Sequence, residues 1–158
     1  MNAIVLTISD SSHRGERPDV SGPRVKERLE SAGYHVPLLQ VLPDDRPLIA
    51  WRLRELATSG ECDAIFTTGG TGVSARDNTP EATREVIERE IPGFGELMRA
   101  EGLKKTPLAP LSRATAGTLA RVLIVNLPGS PKGAVESLDA ILGLVPHVHK
   151  LLCGETGH

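Results

Sequence analysis

The chain reads as an α/β domain with a mostly parallel central sheet, and three observations predict it. Near-continuous apolar, β-branched runs recur at residues 3–8, 36–42, 62–67 and 122–126. Such runs mark strands buried on both faces, as parallel strands are. Segments of helical period, with start and stop residues, follow each run. The third run feeds a Gly/Thr-rich loop, Thr67–Pro80, that ends at a helix start. A strand, a glycine loop and a helix in that order commonly build an anion site at a sheet edge.

The elements follow in order. Ala3–Ile8 is a core strand, and Ser9–Gly15 lies at its C-terminal end, where open α/β sheets bind ligands. That segment has two readings, a rim ligand site or a polar turn bonded to its own backbone. Ser21 is placed as the cap of the next helix, with Pro23 in its first turn and Val25, Leu29 and Ala32 as its stripe. Gly33 ends it. Val36–Leu42 is a strand entered through Pro37, an edge feature. Asp45 is placed as cap of a second helix, with Pro47 in the first turn and Gly60 as its end. Asp44 is then spare. Thr79-Pro80-Glu81 starts a third helix, in which Glu85 and Arg89 stand at pairing distance. Ile91–Gly95 breaks it, and Leu97, Met98 and Leu103 form a short amphipathic piece. Residues 104–111 are a proline-rich connection, and 112–117 fit either a short strand or a helical turn. Val122–Asn126 is the fourth core strand. Ser130 caps the last helix, Pro131 opens it and Pro146 stops it. One domain is expected over residues 1–150, with 151–158 as a flexible tail.

Composition narrows the function classes. The 158 residues carry 18 Lys+Arg against 20 Asp+Glu, a formal net charge of −2. That balance argues against nucleic-acid binding by bulk positive charge, and scarce aromatics argue against a stacking platform. No run approaches a membrane span, and Asp10 interrupts the first apolar stretch before it resembles a signal peptide. Cys62 and Cys153 have no metal or redox spacing, so a reducing, cytoplasmic setting is expected. His147, His149 and His158 are too poorly spaced to suggest a metal site, and His13 reads as a loop histidine.

Four segments should meet at one rim: 9–15, 43–45, 67–77 and 126–131. Two of them present glycines and free N–H groups ahead of helix starts, which suits phosphate. Three carry acidic side chains, Asp10, Asp44 and Asp77. Carboxylates beside a phosphate repel it unless a cation lies between, and Mg²⁺ held by one or two carboxylates plus phosphates resolves that conflict. Gly70–Ala75 formally fits a dinucleotide fingerprint, but the helix starts too late and the following acidic residues lie in it. There is no P-loop Gly-Lys-Ser/Thr and no G-x-S-x-G elbow. A purely structural glycine turn remains the plain alternative for the loop.

Thr67–Pro80 with Glu81-Ala82-Thr83 resembles the signature of the MogA/MoaB molybdenum cofactor biosynthesis family, found also in the G domains of gephyrin and of its plant counterpart. Thr7–Asp10, Ser21-Gly22-Pro23, Pro43-Asp44, Pro92-Gly93-Phe94, Leu111-Ser112-Arg113, Ala116-Gly117 and Asn126–Pro131 match in order, so the resemblance covers about residues 3 to 150. Asn78 departs from it, where the family often has an aliphatic residue. The resemblance implies a three-layer α/β/α fold and adenylyl transfer from Mg-ATP to molybdopterin. It implies a trimer, or a hexamer in the MoaB branch, and a molybdate-inserting enzyme as partner. Asp44 and Asp77 would be catalytic and hold Mg²⁺. Gly70, Thr71 and Gly72 would cradle phosphate, and Gly129 and Ser130 would complete the nucleotide side. Ser112 and Arg113 would lie near the substrate, Arg113 offering charge to an anion. Ser9, Asp10, Thr68, Gly69, Arg76 and Pro128 complete the expected binding set. A MoaB-type carrier that binds molybdopterin without chemistry is the alternative.

Overall fold

The structure, a computed structural model, describes residues 1–155. Six strands form one sheet: β1 (Asn2–Ile8), β2 (His35–Leu42), β3 (Ala64–Thr68), β4 (Arg89–Glu90), β5 (Ala116–Leu119) and β6 (Val122–Leu127). Their spatial order is β2-β1-β3-β6-β5-β4. The first four in that order are parallel; β5 and β4 complete the sheet antiparallel to their neighbours. Every residue of β3 and β6 is buried, as their unbroken apolar runs require.

The single turn α1 (Asp10–His13) follows β1. The pleat sorts the apolar residues onto two faces. Ala3, Val5, Phe66, Leu123 and Val125 pack under α2 (Ser21–Ser31), α5 (Pro92–Leu103), α6 (Pro131–Ile141) and α7 (Val145–Leu152). Ile4, Leu6, Ile65 and Ile124 pack under α3 (Arg46–Thr58) and α4 (Thr79–Arg84). The result is three layers, α/β/α. Each fully buried Leu, Ile or Phe contributes about 1.5–3 kcal/mol of burial free energy. Between the layers Asn126 donates to Thr67 Oγ1 at 3.1 Å and Thr83 Oγ1 at 2.8 Å, which pins α4 to the two central strands.

Several local expectations hold. Asp45 Oδ1 accepts from the Leu48 N–H at 2.9 Å, and Ser130 Oγ from the Gly133 N–H at 3.2 Å. Others change. Ser21 does not cap α2; Asp19 Oδ1 does, accepting from Gly22 N at 3.0 Å. The helix after the glycine loop stops at Arg84, so Arg89 lies on β4 and Glu85 pairs with Arg46. Pro146 lies in the first turn of α7, where it was expected to stop a helix. Proline at a first helical turn loses no hydrogen bond, since that N–H has no partner anyway. His147 and His149 therefore sit on a helix, as do Leu151 and Leu152 of the expected tail; His158 lies outside the described residues.

Candidate functional site

The four parallel strands all end on one edge, at Ile8, Leu42, Thr68 and Leu127. A cleft of about 600 Å³ opens there. Of the expected residues, Ser9, Asp10, Asp44, Thr68, Gly69, Gly70, Asp77, Gly129 and Ser130 line it. Its size falls in the range of small-molecule sites.

Asp10 and Asp44 clasp each other across the ends of β1 and β2. The Asp10 N–H donates to Asp44 Oδ2 at 2.9 Å, and the Asp44 N–H donates to Asp10 Oδ1 at 2.9 Å. The Arg76 guanidinium reaches Asp10 Oδ2 at 2.6 Å and 3.0 Å. These contacts differ in effect. The Arg76 hydrogen bonds, with the Asp44 N–H, hold the Asp10 carboxyl below its ordinary value. Burial pushes the Asp44 carboxyl up, and the negative charges of Asp10 and Asp77 add to that. Asp77 Oδ2 accepts from the Ser74 N–H at 2.8 Å. The Oδ1 atoms of Asp44 and Asp77 receive no protein donor among the described residues.

The backbone around these carboxylates is tightly built. Gly69 has φ +102°, and a Cβ there would strike the Ile8 carbonyl oxygen. Gly69 N donates to Leu127 O at 3.1 Å, and Thr68 Oγ1 donates to Pro128 O at 2.7 Å. A Cβ on Gly129 would come within 3.2 Å of Gly69 Cα. The two glycine turns, one after β3 and one after β6, are thus packed against each other. The Ser130-capped start of α6 faces the same cleft through Pro131.

The remaining expected residues stand elsewhere. Thr71 is buried behind the loop and Gly72 packs against Asp77. Arg76 is 64% exposed and bridges to Asp10 from outside. Ser112 and Pro128 line a second, more apolar cavity of about 300 Å³ between α5 and α6, which shares Ser130 with the first. Arg113, expected near the substrate, lines a further cavity with Ser112 and Arg99. Its guanidinium does not point free toward an anion; it is engaged by Gly72 O, Asp77 O and the Glu81 carboxylate. Two charged cleft residues, Asp19 and Arg17, lie outside the segments expected at the rim, and Arg14 lies inside the expected segment 9–15 without having been singled out. Asp19 accepts from Thr7 Oγ1 at 2.7 Å, and Arg14 and Arg17 line the mouth. An Asp three residues before Gly22, at the head of a helix, was the available signal for the first. No local pattern marks the two arginines.

The donor set suits a hard cation. Asp44 and Asp77 offer unpartnered carboxylate oxygens; burial chiefly, and the charges of Asp10 and Asp77 in addition, disfavour the ionised Asp44 carboxylate, and a cation would relieve both. No group of three or more His, Cys, Asp or Glu among the described residues forms a metal cage. Mg²⁺ does not need one, since it keeps waters and binds through one or two carboxylates plus phosphates.

An open α/β sheet with helix starts, glycine turns and carboxylates gathered at its C-terminal rim has the physical form of a phosphate-ligand site. The chain belongs to the MogA/MoaB family of molybdopterin-binding proteins: the family described as "probable molybdopterin binding domain" matches residues 4–149. It is 42% identical over 155 residues to the molybdopterin adenylyltransferase of Helicobacter pylori J99, covering 95% of this chain and 86% of that protein. The crystal structure of the molybdopterin biosynthesis enzyme MoaB from Thermus thermophilus superposes with a TM-score of 0.89 at 50% identity, over 97% of this chain and 96% of that one. The tungsten cofactor synthesizing protein MoaB from Pyrococcus furiosus superposes with a TM-score of 0.86 at 35% identity, over 96% of each. Among the described residues no helix is long and apolar enough to cross a membrane.

Proposed function

We propose that this chain is a molybdopterin adenylyltransferase, which moves AMP from Mg-ATP to the terminal phosphate of molybdopterin and releases pyrophosphate. The observation that carries the reading is the acidic cluster, Asp10, Asp44 and Asp77, set against two glycine turns in one cleft. A binding site for an anion alone gains nothing from three carboxylates. A site for Mg-nucleotide does, and the related Helicobacter pylori protein bears that activity in its name.

In this reading Asp44 and Asp77 would hold Mg²⁺. When bound, the ion screens phosphate charge and steadies the charge that grows on the transferred phosphorus. The protein does the rest by placement. The Gly69–Gly72 turn and the Gly129-Ser130 turn offer N–H groups to phosphate oxygens. Arg76 restrains Asp10, so that Asp10 acts through its clasp on Asp44. Because the nucleophile is a phosphate oxygen of the substrate, no Ser or Cys nucleophile with a histidine base is required. Holding the two substrates in line and neutralising the charge that develops in the transition state together lower the barrier. The cytoplasmic setting and an assembly of three or six copies belong to the same proposal; light scattering of the pure protein checks the latter.

The test is to mix the protein with molybdopterin, ATP and Mg²⁺ and follow pyrophosphate release and the adenylylated product by mass. Product dependent on all three components is expected. A non-catalytic molybdopterin carrier of the MoaB type is the second reading, supported by a family match that names binding and no reaction. Tight pterin binding without pyrophosphate would select it.

A further inference from the structure

The Arg113 side chain was expected to meet an anion, and its guanidinium is instead bonded to three groups of its own chain. Its Nε donates to Gly72 O at 2.7 Å and its Nη2 to Asp77 O at 2.8 Å. Its Nη1 bonds the Glu81 carboxylate, and Nη2 reaches the other Glu81 oxygen at 3.4 Å. Its backbone N–H donates to Thr71 O at 2.8 Å. One residue thereby ties down both ends of the segment 71–77 and the first turn of α4. The fork geometry of a guanidinium is what allows this; a lysine ammonium cannot span the same three groups. Burial alone would raise the Glu81 carboxyl, but the Arg113 hydrogen bonds and charge outweigh it and hold Glu81 below its ordinary value. Glu81 therefore stays ionised and the pair stays closed.

We infer that Arg113, with Glu81, is a positioning device: it sets the Asp77 carboxylate by clipping the glycine loop, and it does not contact substrate. Gly72 and Asp77 are held at the same guanidinium that fixes their main-chain oxygens, and a Cβ on Gly72 would already lie 2.8 Å from Asp77 Oδ2. The loop has little slack once clipped. Loss of the clip frees Asp77 while the sheet beneath keeps its core.

Two measurements on the full chain test this. The first is hydrogen exchange of residues 72–78, with β1 as internal reference. Arg113→Lys is expected to speed loop exchange about tenfold and leave β1 unchanged. Unchanged loop exchange overturns the proposal. The second rests on the adenylyltransferase reading: turnover should fall about 100-fold in Arg113→Lys, with KM for ATP and for molybdopterin held within about threefold. A raised KM for either substrate with kcat retained would mean direct anion contact and would overturn it. Adding Glu81→Gln to Arg113→Lys should cost nothing more, because both act through one contact; additive losses overturn the pairing. If the wild-type protein releases no pyrophosphate, the adenylyltransferase reading fails, and the exchange result still decides the clip by itself.

Discussion

The two halves of the sheet are built differently and serve the rim differently. The parallel half, β2-β1-β3-β6, delivers the cleft: every strand ends there, and Asp10, Asp44, Gly69 and Gly129 each stand within two residues of a strand end. The antiparallel half, β5 and β4, delivers nothing to that cleft. Its contribution is the segment leading into β5, which carries Ser112 to the neighbouring cavity and Arg113 to the back of the loop. One half supplies groups that face a ligand, and the other supplies groups that hold them. Damage should therefore differ in kind, with chemistry lost from the first half and precision or stability from the second.

Asp77→Asn gives the sharpest form of that difference. Turnover should fall by about 10³-fold, because the charge that the proposed reaction assigns to metal and phosphates is gone, while urea unfolding stays within about 1 kcal/mol of wild type. Global unfolding of this variant would show that Asp77 holds the fold and not the chemistry. Gly69→Ala tests the point where the two glycine turns meet. A left-handed φ and a collision with the Ile8 carbonyl oxygen should cost on the order of 3 kcal/mol, read from the urea midpoint. A midpoint equal to wild type would mean the turn has slack. Ala120→Gly addresses the other half. Ala120 sits in the β5–β6 hairpin at φ +52°, a conformation that costs a residue with a Cβ. Relief of that strain should raise stability by about 1 kcal/mol, net of the flexibility glycine adds to the unfolded chain, and leave turnover unchanged.

The smallest effect is the dependence on pH. Folding raises the Asp44 pKa, so the folded chain holds this proton more tightly than the unfolded chain does. Asp44 therefore subtracts from stability as pH rises from the ordinary carboxylate value through the raised one, and the loss persists above it. Asp10, whose pKa folding lowers, acts oppositely: its contribution is present above the ordinary value and fades as pH falls through the lowered one. Asp44→Asn should thus melt slightly higher than wild type at pH 7, with the gap closing in acid, and should lose turnover. A lower melting temperature at pH 7 would show that its charge is stabilised in the cleft and not strained.

Legibility in the sequence follows the same division. The parallel strands announce themselves because burial on both faces forces unbroken apolar runs, and the caps at Asp45 and Ser130 are local patterns of a few residues. Asp10, Asp44 and Asp77 could be placed together because strand ends of a parallel sheet share an edge. The antiparallel strands gave no such signal. β4 has two residues, both exposed, and Ala116–Leu119 is too short for a period to be read. The partnership of Arg113 with Glu81 spans 32 residues, and nothing in either neighbourhood points to the other. For α7, local reading failed because Pro146 stops a helix and starts one equally well.

The strand order has one more consequence, for the chain as it is made. β6 is the last strand in sequence, yet it lies between β3 and β5, inside the sheet. Until residue 127 has been synthesised, both of those neighbours present unpaired backbone edges, the kind of surface on which nascent chains stick to one another. The three carboxylates are present by residue 77, but Gly69 and Thr68 take their partners from Leu127 and Pro128. A growing chain thus carries the acidic half of its cleft long before it can close the other half, and a truncation between residue 77 and β6 leaves the right charges with only half a cradle.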